Sequence, residues 1–202
     1  MTAPRDALSF RRELTRKALH IATVIVPIAY AAGVTRRVLL IVLACACALA
    51  FAIDILRIRH ASTRAVFHRL VGQLLRAHEE RRWAGATWLL LAQLGAVAVA
   101  PRPAAIAAMW AVSAADAAAA LAGKGLGRRR VARSGKTIVG SVACFVVALA
   151  GAVLLAELAP AAGVVAAAAA TLGERPQGGL DDNVRIVAAV VLALLLWRVI
   201  FP

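Results

Sequence analysis

Cysteine is scarce in this chain, acid is much scarcer than base, and aromatic residues make up only 5%. The three cysteines, Cys45, Cys47 and Cys144, all lie inside apolar runs. They have neither the histidine-linked spacing of a zinc site nor a disulfide framework, and read as small buried side chains. Ten Asp and Glu stand against 24 Lys and Arg, for a formal net charge of +14. Such an excess raises nucleic acid as a partner. Here, however, the basic blocks alternate with apolar spans long enough to cross a bilayer, so no nucleic-acid partner is expected. Polar surface is missing as well. Charged residues are 17% and hydrophobic residues 62%, against about a quarter and about half in a soluble domain.

Seven apolar spans can be read, at about 18–33, 37–53, 84–100, 104–122, 138–155, 158–173 and 184–201. The expectation is a single all-α integral membrane domain over 1–202, a polytopic bundle of about seven transmembrane helices. Residues 138–173 would also suit one bent element, but Pro160 favours a break, since proline fits a first helical turn and not an interior. Ala29-Tyr30-Ala31 resembles a signal-cleavage site. The long basic leader and the later spans argue against cleavage.

Lys and Arg fall unevenly between alternate connections, with 20 of the 24 on one side. By the positive-inside rule that side is cytoplasmic and includes the N-terminus, leaving the C-terminus outside. The water-facing cytoplasmic segments are then the leader 1–17, a stretch over 54–83, a glycine-rich basic loop at 123–137 and an acidic loop at 174–183. Of the ten acids only Glu157 falls on the outer side. Within 54–83, Ser62 is a candidate cap. Val66, Phe67, Leu70, Val71, Leu74 and Leu75 recur at helical spacing, opposite Arg64, His68, Arg69, Gln73 and Arg76. This reads as a basic amphipathic helix lying in the membrane interface. Alanine and arginine richness points to a high-GC bacterium and hence to a bacterial inner membrane, with the site on its cytoplasmic side.

Asp116 stands in an alanine run, where a charge costs about 3 kcal/mol at the bilayer centre, and is a functional candidate on that ground. It leads into Gly123-Lys124-Gly125-Leu126-Gly127-Arg128 and then Lys136-Thr137-Ile138-Val139-Gly140-Ser141. Glycines let backbone approach phosphate, and Lys and Arg neutralise its charge. An acid can hold a divalent metal bridging the phosphates. Together these are the parts that phosphoryl transfer requires. A P-loop is excluded because Arg130 stands where its first glycine belongs, and the glycine spacing is wrong for a dinucleotide loop. Glu174, Asp181, Asp182 and Asn183 supply further oxygen ligands suited to magnesium, and Asp or Asn there also suits a helix cap. Arg16, Lys17 and His20 adjoin on one helical face. Arg57 is i+3 from Asp54, as in an internal salt bridge.

In this order, Arg16-Lys17-x-x-His20, Asp54-x-x-Arg57, Gly85-Ala-Thr-Trp-Leu-Leu, Asp116 with Gly123-Lys124-x-x-Gly127-Arg128, Lys136-Thr137-x-x-Gly140-Ser141 and Glu174…Asp182-Asn183 resemble the polyprenol kinase family. That family holds dolichol kinase, phytol kinase and the CTP-dependent diacylglycerol kinases. The resemblance runs from about residue 13 to 190 and implies a CTP-dependent kinase of a membrane lipid hydroxyl, working with Mg2+. It assigns nucleotide binding to Gly123, Lys124, Gly127, Arg128, Lys136, Thr137, Gly140 and Ser141. The metal falls to Asp116, Glu174, Asp182 and Asn183. Catalysis falls to Asp116 and Lys17, with His20 or Asp54 as base. The chain is far shorter than eukaryotic dolichol kinases, as a minimal catalytic core would be. Lys136-Thr-Ile-Val-Gly-Ser is also similar to phosphatidate cytidylyltransferases, but the His-Gly-Gly and Lys-Asp elements of those enzymes are missing near Gly178–Asn183. A non-enzymatic transporter is the remaining alternative, since intramembrane acids also mark ion pathways.

Overall fold

The computed structural model describes residues 10–72, 75, 79–126, 136–175 and 179–201. It is all-helical, with no strand among the described residues. The α-helices are α1 (Phe10–Ala22), α2 (Ile25–Ala31), α3 (Arg36–Arg59), α4 (Ala61–Val71), α5 (Gly85–Val99), α6 (Arg102–Trp110), α7 (Asp116–Gly125), α8 (Ile138–Leu154), α9 (Pro160–Gly173) and α10 (Asp182–Ile200). A π-helical turn, Ala111–Ala115, joins α6 to α7.

Three helices are long and apolar enough to cross a membrane: α3, the continuous α6–α7 element and α10. The helices α5, α8 and α9 are also apolar but shorter, at 15, 17 and 14 residues. The first apolar run, read from sequence as one helix over 18–33, is instead broken into α1 and α2. The Thr23 hydroxyl donates back to His20 O at 2.7 Å, and Val24 N bonds Ile21 O at 3.0 Å, tightening the chain and ending α1. Pro160 opens α9 at its first turn, so 138–173 is two helices and not one bent element.

The α6–α7 element is the centre of the bundle. Most of it is buried, whereas most of α3 and α10 is not. It packs against α1, α2, α5, α8, α9 and α10. Its buried face is Ala104, Ala105, Ala107, Ala108, Ala111, Ala115, Ala117 and Ala119, and small side chains let backbones approach closely. Trp110 shows how close. Its indole donates to Val147 O at 2.9 Å and lies over Gly151, where a Cβ would stand 2.1 Å from the ring. The outside of the bundle is apolar, with Val42, Leu49, Leu154, Val199 and Ile200 exposed. An apolar exterior of that extent matches lipid, not water.

Helix ends are satisfied locally. Thr35, Thr137 and Asp181 cap α3, α8 and α10 through their side-chain oxygens. Ser62 does not cap α4. That helix starts after His60, whose extended backbone turns the chain, and Ser62 falls within its first turn. Arg64 donates to Arg57 O and Ile58 O at 3.1 and 2.9 Å, covering the last carbonyls of α3. At the far end of the bundle, Arg102 donates to Tyr30 O at 2.7 Å and Arg36 to Ala98 O, closing α2 and α5.

Candidate functional site

Alternating helix directions bring the C-terminal end of α3, the N-terminal end of α5, the end of α7, the start of α8, the end of α9 and the start of α10 to one end of the bundle. Three contacts record this. Asn183 Nδ2 donates to Gly85 O at 3.2 Å, joining α10 to α5. Lys136 Nζ meets Glu174 Oε1 at 2.7 Å, joining the start of α8 to the end of α9. Lys17 Nζ meets Asp116 Oδ2, joining α1 to α7 across 99 residues of sequence.

The Lys17–Asp116 pair is buried, at 2% exposure on each side. His20, one helical turn beyond Lys17, is also buried. Its Nδ1 lies 3.4 Å from Asp116 Oδ2 and 3.3 Å from Val112 O. Val112 sits in the π-helical turn, whose widened hydrogen-bonding pattern is common at functional sites. Both neighbours of Nδ1 are acceptors. The ring proton therefore belongs on Nδ1, and Nε2 carries the lone pair. Removing one partner of a buried ion pair costs about 3–5 kcal/mol, because the other charge is left buried and unmatched.

Glu174 is buried and Lys136 half-buried. Burial disfavours the Lys136 ammonium, but Glu174, and further off Asp116 and Asp182, outweigh it and hold Lys136 above the ordinary lysine value. Asp182 thus lies within electrostatic reach of both Asp116 and Lys136. Among the described residues, no three His, Cys, Asp or Glu side chains converge closely enough to hold a metal ion by themselves. The donor set is nonetheless of the right kind. Asn183 is 1% exposed, and its Oδ1, a hard oxygen, has no hydrogen-bond partner among the described residues. Two members of the set are already committed to lysines, Asp116 to Lys17 and Glu174 to Lys136.

Asp54 takes a different place. Its Oδ1 accepts from Arg57 Nε at 2.7 Å, and its Oδ2 from Ala84 N at 2.9 Å and Thr87 Oγ1 at 2.7 Å. Arg57 goes on to donate to Glu79 O, Glu80 O and Arg82 O. The two residues clamp the 79–84 connection onto α3 and cap the start of α5. Both carboxylate oxygens of Asp54 are thus engaged in holding this connection.

Of the candidate nucleotide residues, Gly127 and Arg128 lie outside the described residues. Lys124 is exposed at the end of α7, and Ser141 is half-buried in the first turn of α8. Thr137 caps α8, accepting from Gly140 N at 3.1 Å. Gly123 and Gly140 face each other where α7 meets α8: a Cβ on Gly140 would stand 2.8 Å from Ala119 O, and one on Gly123 2.8 Å from Thr137 Oγ1. Glycine here lets two helices touch.

Two features escaped the sequence. One is a buried polar chain, Gln93 Nε2 to Ser113 Oγ at 2.9 Å and Ser113 Oγ to Thr23 Oγ1 at 2.8 Å, which ties the α1–α2 break to the π-helical turn and to α5. Single Ser, Thr and Gln residues in separate spans give no signal of meeting. The other is a cleft of about 450 Å³ between α1–α2, α4 and the start of α5. His20 lies in its wall, with Arg16 and Glu79, and the rest of the lining is mostly apolar.

No protein-family model matches the chain, and no curated protein or solved structure matches it.

Proposed function

We propose that the chain is a membrane-embedded kinase that transfers the γ-phosphoryl group of CTP to the hydroxyl of a membrane lipid alcohol. The observation that carries this reading is the buried Lys17–Asp116–His20 cluster, whose His20 lies in the wall of an apolar cleft, with Lys136–Glu174 and Asp182 at the same end. An amphiphile in the cleft would have its hydroxyl beside His20. Cations for a triphosphate stand on the water side.

The bundle would cross the membrane seven times, with α1–α2 together forming the first crossing and the N-terminus and site in the cytoplasm. The uneven Lys and Arg distribution supports that orientation. The shorter α5, α8 and α9 would cross with their ends drawn inward. By composition the membrane is a bacterial inner membrane.

In the reaction, His20 Nε2 accepts the proton of the lipid hydroxyl while Asp116 and Val112 O hold the ring in place. The lipid oxygen bonds to the γ-phosphorus, the bond from that phosphorus to the β,γ-bridging oxygen breaks, and CDP leaves with that oxygen. Lys124, Arg128 and Lys136 neutralise the triphosphate, and Lys17 is paired with Asp116 beside the reacting centre. Asp116, Asp182 and Asn183 are the oxygens that would hold Mg2+, with Glu174 adjoining. When bound, the metal would neutralise charge on the phosphate oxygens. The specificity for CTP over ATP rests on the resemblance to polyprenol kinases alone.

The test is incubation of the purified protein with Mg2+, labelled CTP and a panel of polyprenols, phytol and diacylglycerol. Label from the γ position should enter lipid. Label entering from the α position instead would assign a cytidylyltransferase. A correctly folded protein that modifies no lipid with any triphosphate and metal would assign a transporter.

A further inference from the structure

We infer that Gln93, Ser113 and Thr23 are positioning residues for His20: their hydrogen-bonded chain keeps the imidazole in the Nδ1-protonated form, with the Nε2 lone pair free. This deepens the kinase reading. It rests on that reading for the use made of Nε2, but not for the state of the ring.

The direction of every bond in the chain is forced. His20 O can only accept, so the single hydroxyl proton of Thr23 goes to it, at 2.7 Å. Thr23 Oγ1 therefore accepts from Ser113 Oγ, at 2.8 Å. That uses the one proton of Ser113, which must in turn accept from Gln93 Nε2, at 2.9 Å. The amide of Gln93 is thereby oriented, nitrogen toward Ser113.

The chain ends on the residue whose ring carries the proposed base. His20 O receives Thr23 N at 3.1 Å as well as the Thr23 hydroxyl. Ser113 follows Val112 in the π-helical turn, and Val112 O takes the Nδ1 proton of His20 at 3.3 Å. Two consecutive residues of the turn thus hold His20 twice, Val112 by its ring and Ser113, through Thr23, by its backbone. A helix held at both points cannot rotate about its axis without breaking one of them. The ring contact is the longest in the set, so it yields when the backbone is released.

Stability does not account for Gln93. It is 0% exposed, and its Oε1 has no hydrogen-bond partner among the described residues. A buried acceptor left unmatched opposes folding, and an apolar side chain of similar length would fill the space in α5 without that cost. What the amide supplies, and a thioether would not, is a donor aimed at Ser113. Neither Gln93 nor Ser113 lines the cleft, so each acts on a bound alcohol only through other residues.

The experiment records the ring-nitrogen NMR signals of the full chain in detergent, its histidines labelled with heavy nitrogen. The His20 signals are assigned by their loss in His20→Gln. Unfolding temperature is measured alongside, with kcat and lipid KM for the panel lipids and γ-labelled CTP. In the parent, Nδ1 should carry the proton and Nε2 should not. Gln93→Met should give a mixture of the two tautomers, an unfolding temperature no lower than the parent's and an unchanged lipid KM. Its kcat should fall about tenfold, the scale of a modest misplacement of a reacting group. Thr23→Val should change the ring and kcat in the same way, and Thr23→Ser, which keeps the hydroxyl, should restore both. A mixed ring in the variants of a parent that phosphorylates no lipid would remove the kinase and leave the hold on His20 standing. Parent-like ring signals in Gln93→Met and Thr23→Val overturn the inference whatever happens to activity, as does a mixed ring with kcat untouched.

Discussion

Two carboxylates, Asp54 and Asp116, lie at the same end of the bundle, equally buried, each beside a cation. Their partners differ in kind. Asp54 is saturated by a guanidinium, a hydroxyl and a backbone amide. None of these exchanges protons near neutral pH, and the arrangement fixes a connection in place. Asp116 meets an ammonium and an imidazole, both from α1, with Asp182 near by. One of its partners, the imidazole, is a group able to take up a proton, which none of the partners of Asp54 is. A buried acid is thus read as scaffold or as chemistry by what saturates it, not by how buried it is.

The comparison breaks most sharply at Asp116. Asp116→Asn should lower lipid phosphorylation by about a thousandfold, the scale of losing one transition-state stabiliser, and should also destabilise the fold by leaving Lys17 buried and unmatched. Adding Lys17→Met should restore much of the unfolding temperature and none of the activity. Recovery of activity in the double variant would make the pair scaffold like Asp54–Arg57. Next in size, Asp54→Ala should cost about 3–5 kcal/mol in unfolding free energy. The kinetic constants of the folded fraction should stay near those of the parent. A large fall in kcat at unchanged stability would place Asp54 in the chemistry. His20→Gln should slow phosphoryl transfer by about a hundredfold and flatten the acid limb of the pH–rate profile. An unchanged profile removes it as the base.

The smallest effect belongs to the outer pair. Lys136 is held above the ordinary lysine value of 10.5, chiefly by Glu174 working against burial. A group whose folded value is raised contributes stability that is complete below the unfolded value. That contribution is lost as pH rises through the folded one. The pair should therefore stabilise the protein through neutral and mildly alkaline pH and fail only above the ordinary lysine range. Glu174→Gln should remove that contribution, seen as a lower unfolding temperature at pH 9 and convergence with the parent at still higher pH.

Much of the fold was legible because long apolar runs bounded by charge leave few choices. The spans at 37–53 and 104–122 fall within α3 and α6–α7, the span at 184–201 runs one residue past the end of α10, and Pro160 marked a real break. The division of the first run had a signal in Pro27, which falls in the first turn of α2 and which reading one span over 18–33 passed over, whereas the Thr23 hydrogen bonds that tighten the break leave no mark in the sequence. The π-helical turn was hidden for a similar reason: in Ala111-Val112-Ser113-Ala114-Ala115 nothing but geometry distinguishes it from an α-helix. At the site, spacing alone placed Arg16 and His20 on one face, with Lys17 adjoining, and showed the Asp54–Arg57 pair at i,i+3. It did not show that Asp54 would be saturated, since Ala84 and Thr87 lie 30 and 33 residues away. Gly123 and Gly140 read from sequence as phosphate-approaching residues, while their positions answer to contact between α7 and α8.

The turn at Ala111–Ala115 also governs how the chain tolerates change in length. Each residue of a helix rotates the next by about 100°, so losing one alanine there would swing Asp116 a quarter-circle and more away from α1, with composition and hydropathy almost untouched. Away from Ser113, whose hydroxyl joins Gln93 and Thr23, one small side chain could replace another in this tract, yet its number of residues is fixed. In a lineage of such proteins, insertion and deletion, not substitution, would be the events that create or destroy the site.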